Sequence, residues 1–221
     1  MLALLLSDIH GRVSLLRRIV KTSDYDLALV AGDLSNYAGG GYGEVLELLS
    51  ESLPLTIVVP GNVDPPEILN LSLGNVVILH TSVVDVRGLL VAGVGGGIGF
   101  SFWGIPYLAE YHIADFVKKL SEELRRSSRA LHILLTHTPP YNSGVDKLYS
   151  GEVVGSKALR NFLEEFKPLL HVCGHVHESR GVSTLGRTTV VNPGPAMVGY
   201  YAVSRVDLDR GRVDVELARV K

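Results

Sequence analysis

The stretch Leu2-Ala3-Leu4-Leu5-Leu6-Ser7-Asp8-Ile9-His10-Gly11 begins with five apolar residues and breaks abruptly into Ser, Asp, His and Gly. So short an unbroken apolar run fits a strand buried on both faces, because successive side chains point to opposite sides and neither side meets water. The pattern returns twice. Residues Leu27–Ala31 run into Gly32-Asp33, and residues 55–59 run into Pro60-Gly61-Asn62-Val63-Asp64. Between these blocks, Val13, Leu15, Leu16, Ile19 and Val20, then Val45, Leu46, Leu48 and Leu49, carry helical spacing, leaving Arg17, Arg18, Glu44 and Glu47 for solvent. Strand alternating with helix predicts parallel pairing with the helices outside.

Beyond about residue 74 the rhythm changes. Short strands are predicted over residues 76–79, 83–86 and 89–92, then a long helix over 107–129. A buried strand over 131–136, a helix over Lys157–Phe166 and a strand over 169–173 follow. Segments 188–191, 200–206 and 212–217 read as a closing antiparallel meander, with Asp209-Arg210-Gly211 as a turn. No fixed-period repeat or low-complexity linker interrupts the chain. The expected architecture is a single α/β domain over residues 1–221, two sheets forming a β-sandwich flanked by helices.

Composition narrows the function. The 221 residues are 46% hydrophobic and 20% charged, which excludes disorder and allows a core that needs no staples. Twenty-one Lys and Arg against 23 Asp and Glu give a net charge of −2, so a broad electrostatic grip on nucleic acid is not expected. One cysteine, Cys173, forms no internal disulfide and suggests a reducing, cytoplasmic setting. The apolar start lacks a basic leader, and the longest uncharged stretch, residues 88–109, carries too many glycines for a spanning helix. No membrane association is expected.

The chemistry lies in what tips each strand. Asp8 and His10, Asp33, Asn62, His137 in Thr136-His137-Thr138, and His175 and His177 in Gly174-His175-Val176-His177 all follow apolar runs. Strands of one polarity would bring these tips together, as carboxyl ends of strands do in open α/β folds. Two carboxylates, one amide oxygen and four imidazoles exceed a single tetrahedral site and suit two first-row divalent ions sharing a ligand. Of the other histidines, His112 stands apart because it follows the glycine loop and could reach the cleft. The run Gly93-Val94-Gly95-Gly96-Gly97-Ile98-Gly99-Phe100 reads as a flexible loop beside the cleft, and Phe100, Phe102, Trp103, Tyr107 and Tyr111 as packing aromatics.

Asp8-x-His10, Gly32-Asp33, Gly61-Asn62-x-Asp64, His137 and Gly174-His175-x-His177 resemble the calcineurin-like metallophosphoesterases. The resemblance is closest to small prokaryotic, especially archaeal, Icc-like or YfcE-like members. It implies the metallo-dependent phosphatase fold. It places Asp8, His10 and His177 on a first metal and Asn62, His137 and His175 on a second, with Asp33 bridging. Val191-Asn192-Pro193-Gly194 resembles a loop that closes the site. The implied cofactors are two divalent ions, manganese first, with iron, zinc, cobalt, nickel or magnesium as alternatives. The implied reaction is hydrolysis of a small phosphodiester or phosphomonoester by a hydroxide bridging the metals. The resemblance departs at Val63, where many members carry a histidine thought to protonate the leaving oxygen with the help of the following Asp. Asp64 and His112 are the remaining catalytic candidates. Rival readings are a metal-binding scaffold in a protein complex, and a nuclease built on the same site. A homo-oligomer is compatible with the sequence.

Overall fold

A computed structural model of the chain describes residues 1–86, 88–98 and 109–221. Its first sheet joins strands β1 (Leu2–Leu6), β2 (Leu27–Ala31), β3 (Thr56–Val59) and β4 (Val76–Ile78) in parallel. The second contains β5 (Ser82–Val86), β6 (Leu89–Val94), β7 (Ile133–Thr136), β8 (Leu170–Val172), β9 (Gly181–Leu185) and β10 (Thr188–Asn192). Its spatial order is β5-β6-β7-β8-β10-β9. The last two strands, β11 (Tyr200–Asp207) and β12 (Arg212–Arg219), form a hairpin that returns to the first sheet, where β11 pairs antiparallel with β1.

Why the early strands read as continuous apolar runs is visible in where alternate residues go. Leu4, Leu6, Ala28, Val30 and Val58 face outward onto helices α1 (Val13–Ile19) and α2 (Tyr42–Ser52), meeting Leu16, Ile19, Val45 and Leu46. Their neighbours Ala3, Leu5, Leu27, Leu29 and Ile57 face inward and meet Val91, Ile133, Leu135 and Val172 of the second sheet. Each face therefore has its own core. The second sheet's outer face, including Leu90, Ala92 and Leu134, is covered by helices α3 (Glu110–Ser127) and α4 (Lys157–Phe166) through Leu120, Leu124, Leu159 and Phe162. Fully burying one such Leu or Phe contributes about 1.5–3 kcal/mol. Ser156 caps α4 by accepting a hydrogen bond from the Leu159 amide at 3.2 Å.

The structure corrects two expectations and adds a strand. No continuous closing meander forms: β10 pairs parallel with β8 in the second sheet, while β11 and β12 belong to the first. Strand β9 carries no sequence signal, because Gly-Val-Ser-Thr-Leu is an edge strand with alternating partial exposure and no apolar run. The long helix starts at Glu110 and stops at Ser127; residues 107 and 108 lie outside the described residues. The same holds for Gly99, Phe100, Phe102 and Trp103 of the glycine and aromatic readings. Among the described residues, no helix is long and apolar enough to cross a membrane.

Candidate metal centre

β1, β2 and β3 of one sheet and β7 and β8 of the other end at the same rim of the sandwich. Asp8 follows β1, Asp33 follows β2, Asn62 follows β3, His137 follows β7, and His175 and His177 follow β8. To turn their side chains into the rim, Asp8 (φ 55), His10 (φ 46), Asp33 (φ 55) and His175 (φ 68) all adopt left-handed backbone conformations. Each such residue costs of order 1–3 kcal/mol and persists where the surroundings hold it.

Two groups of ligand-type atoms converge: Asp8 with His10 and His177, and Asp8 with Asp33 and His137. Asp33 stands between the histidines, its Oδ2 lying 3.7 Å from His10 Nε2 and 3.5 Å from His137 Nε2. The other oxygen, Oδ1, is anchored by the Val63 amide at 3.0 Å. Asp8 divides its roles similarly. Oδ1 lies 3.1 Å from His177 Nε2, while Oδ2 accepts from Ser7 Oγ and from the His175 amide at 3.2 Å.

Backbone carbonyls set the tautomers, which is how outer partners orient metal-binding imidazoles. His10 Nδ1 donates to Ser35 O at 3.2 Å, so Nε2 carries the lone pair; that atom is buried and has no hydrogen-bond partner among the described residues. His175 Nε2 donates to Ile98 O at 2.7 Å, leaving Nδ1 with the lone pair. His137 Nδ1 donates to Ala31 O at 2.7 Å. Its Nε2 then faces Asn62 Oδ1 at 2.9 Å, two lone pairs in contact unless a proton or a cation lies between them. Burial opposes protonation of His137, but the Asp33 and Asp8 carboxylates outweigh it and push the imidazole up to about 10. Burial likewise raises Asp8, yet His177, His137 and Ser7 bring it well below the usual carboxylate range. A buried rim so demanding of positive charge, with an orphaned imidazole nitrogen at His10, fits divalent cations.

The described part of the glycine run, residues 93–98, is packed against this rim, so it is more than the flexible loop read from sequence. A Cβ on Gly97 would stand 2.5 Å from Asn62 Oδ1 and 2.9 Å from His175 Cε1, closer than real Cβ atoms come. Thr138 Oγ1 accepts from the Ile98 amide and donates to Gly96 O, both at 3.2 Å, holding the loop there.

The two catalytic candidates sit differently. Asp64 is fully buried, its carboxylate accepting from the Ser35 amide at 2.7 Å and the Gly61 amide at 2.8 Å. It braces the turns after β2 and β3 and presents no oxygen to a substrate, so its role is positioning. His112 lies in the first turn of α3, where Nδ1 accepts from the Ala109 amide at 3.1 Å and the ring packs on Tyr111, whose side chain is exposed.

Sequence reasoning missed two supports and saw a third only as a motif. Tyr37 stacks on His10 with ring centroids 4.4 Å apart and planes 20° apart. Arg180 ties the His177 turn to the final strand, donating to Pro193 O and Ala218 O at 3.1 Å beneath the Tyr200 ring. Asn192, in the loop read as closing the site, donates to Val176 O at 2.9 Å. Of these, only the Asn-Pro-Gly motif left a sign in the sequence.

A family model described as calcineurin-like phosphoesterase matches residues 1–179. An uncharacterized protein of Methanocaldococcus jannaschii, MJ1162, is 31% identical over 203 residues, covering 89% of both chains. Human metallophosphoesterase domain-containing protein 1 is 33% identical over 135 residues, 60% of this chain and 39% of the human one. Among solved structures, TT1561 of Thermus thermophilus superposes with TM-score 0.73 at 25% identity, covering 100% of this chain and 99% of that one. A dimetal phosphatase from Danio rerio shares the fold at TM-score 0.65 and 11% identity, over 94% and 93%.

Proposed function

The chain belongs to the calcineurin-like phosphoesterase family, and from that premise we propose that it hydrolyses small phosphate esters, diesters or monoesters, with two divalent cations at the rim. The observation that carries this reading is Asp33 Oδ2 lying between His10 Nε2 at 3.7 Å and His137 Nε2 at 3.5 Å. Asp8, His10 and His177 would hold one ion, and Asn62, His137 and His175 the other, with Asp33 shared. Cations bound there supply Lewis acidity toward phosphoryl oxygens and a water acidic enough to act as nucleophile near neutral pH. Manganese suits the mixed oxygen and nitrogen donors, as do iron, zinc, cobalt, nickel and magnesium.

The chain's own part is positional and electrostatic, which is most of what phosphoryl transfer asks of a protein. Ser35 O, Ala31 O and Ile98 O fix three imidazole tautomers so that lone pairs face inward. Two carboxylates against two dications leave a net positive rim, enough to hold a phosphate on a chain whose overall charge is −2. A small ester is favoured over nucleic acid because a net charge of −2 offers no broad electrostatic grip on a long polyanion. We place the enzyme in the cytoplasm, where the buried Cys173 stays reduced.

Position 63 contributes its backbone to Asp33 and a buried valyl side chain, which donates no proton. The leaving group therefore departs without an acid from that position, forgoing an effect typically worth about 10²–10⁴-fold. The test is a series of aryl phosphodiesters turned over by metal-reconstituted protein. Rates should climb steeply as leaving-group pKa falls. No turnover with any of the named metals overturns the reading, and a flat series overturns the missing acid.

A further inference from the structure

The outer faces of the two sheets handle charge differently. Over the second sheet, Arg125 of α3 lies 2.6 Å from Glu165 of α4, and Arg160 of α4 lies 2.6 Å from Glu164. Over the first sheet, α1 exposes Arg17 and Arg18, with Lys21 just beyond its end, and α2 exposes Glu44, Glu47 and Glu51. The two helices pack side by side, yet among the described residues none of these six side chains makes an ion pair. We propose that this face binds a second copy of the chain, the basic α1 of each copy lying against the acidic α2 of the other. The pairing uses none of the candidate metal ligands and holds whatever the rim hydrolyses.

The signs are segregated at a cost to the single chain. Glu44, Glu47 and Glu51 stand three and four residues apart, so their carboxylates are neighbours on the helix surface and repel. Arg17, Arg18 and Lys21 crowd in the same way with the opposite sign. Glu51 also lies in the last turn of α2, where the helix dipole disfavours a carboxylate, so α2 alone gives no reason for it. A facing stripe of opposite charge relieves both helices.

The topology makes the patch self-complementary. Strands β1, β2 and β3 are parallel, so α1 and α2, each returning to the next strand, run in the same direction. A two-fold axis lying along the helices and between them lays each α1 on the partner's α2, again in the same direction. The end carrying Arg17, Arg18 and Lys21 then meets the end carrying Glu47 and Glu51. One patch serves both copies, as a closed dimer requires. A partner of single sign would satisfy one helix and repel the other.

The flanks follow the same symmetry. The order β11-β1-β2-β3-β4 puts the turn Ala196–Val198, which enters β11, outside α1, and the turn Pro66–Asn70, on the way to β4, outside α2. Val198 is 40% exposed on one flank, and Leu69 and Leu71 are 40% and 39% exposed on the other. The axis that exchanges α1 with α2 exchanges these flanks too. It adds apolar burial to an interface whose charges supply specificity more than affinity.

The experiment is sedimentation velocity of the full chain in low and high salt. The dimer should form at about 50 mM NaCl and loosen about tenfold at about 500 mM, because screening shortens the reach of exposed charges. Arg17→Glu/Arg18→Glu leaves two mainly acidic stripes, and Glu47→Arg/Glu51→Arg two mainly basic ones; each variant alone should be monomeric. Mixed in equal amounts they should recover the dimer, since each offers the other two complementary stripes, and recovery shows that both are folded. Lys118→Glu/Lys119→Glu, on α3, shifts the net charge as far as the α1 variant does and should dimerise like the parent. A parent chain still monomeric at about 100 µM in low salt overturns the inference. So does a dimer that survives either reversal, a mixture that stays monomeric, or loss of the dimer in the α3 variant.

Discussion

Asp64 shows how a residue read as catalytic can matter without touching substrate. Both its oxygens are consumed by amides, from Ser35 and Gly61, and burial together with the nearby Asp33 carboxylate raises it above the ordinary Asp range. Asn at this position offers one acceptor in place of two and turns an NH₂ toward an amide. Asp64→Asn should therefore destabilise the metal-free protein by about 1–3 kcal/mol, the cost of an unsatisfied buried donor, read from urea denaturation. An unchanged midpoint would remove the brace. His171 makes a second residue-scale statement. Its Nε2 donates to Thr136 Oγ1 at 2.8 Å, since that hydroxyl donates to Thr138 O, and burial lowers the imidazole from 6.5 to about 3. The folded protein keeps it neutral while the unfolded chain protonates it below 6.5. Its stabilisation is thus complete above pH 6.5 and is lost as pH falls toward 3, by about 1.4 kcal/mol per pH unit. His171→Gln keeps a donor but does not titrate. Its stability should fall less steeply between about pH 6.5 and 4.5 than that of the parent protein, both measured with chelator, and parallel slopes would contradict this.

At the scale of elements, the glycine loop after β6 is the part whose role differs most between sequence and structure. The residues Gly93 to Gly97 suggest slack, yet Gly97 lies so close to Asn62 and His175 that a methyl group has no room. Gly97→Ala should weaken the second cation's affinity by about 10–100-fold, the range for disturbed outer partners of a metal site, while leaving the first and the unfolding midpoint of the apo protein in place. Calorimetric titration with Mn²⁺ checks it; two unaltered binding steps would show that the loop does not press on the ligands. The strands that are readable from sequence, β1, β2, β3 and β7, are buried along nearly their whole length, so burial and apolarity coincide. β9 escapes because every second residue of an edge strand faces water and its Gly, Ser and Thr look like loop.

For the whole molecule, what the sequence could not disclose is partnership between distant segments. The β11–β12 hairpin looks continuous with β10 along the chain, but β11 fits beside β1 from the far end of the sequence, pairing Leu5 with Ala202, and only packing decides that. The convergence of strand tips follows from parallel polarity and was legible. Which atoms face one another was not: the shared position of Asp33 Oδ2, the 2.9 Å contact of His137 Nε2 with Asn62 Oδ1, and the stack of Tyr37 on His10 depend on rotamers and turn geometry. The sandwich then concentrates these groups at one rim, so a nearly neutral chain presents a site shaped for two cations.

Metal stoichiometry tests this arrangement most directly. Protein stripped with chelator, reloaded with Mn²⁺ and freed of excess by dialysis should carry two equivalents per chain by mass spectrometry of the metal. Asp33→Asn, treated identically, should retain no more than one. A single equivalent in the parent protein, or two held as tightly by Asp33→Asn, would contradict a binuclear centre shared through Asp33.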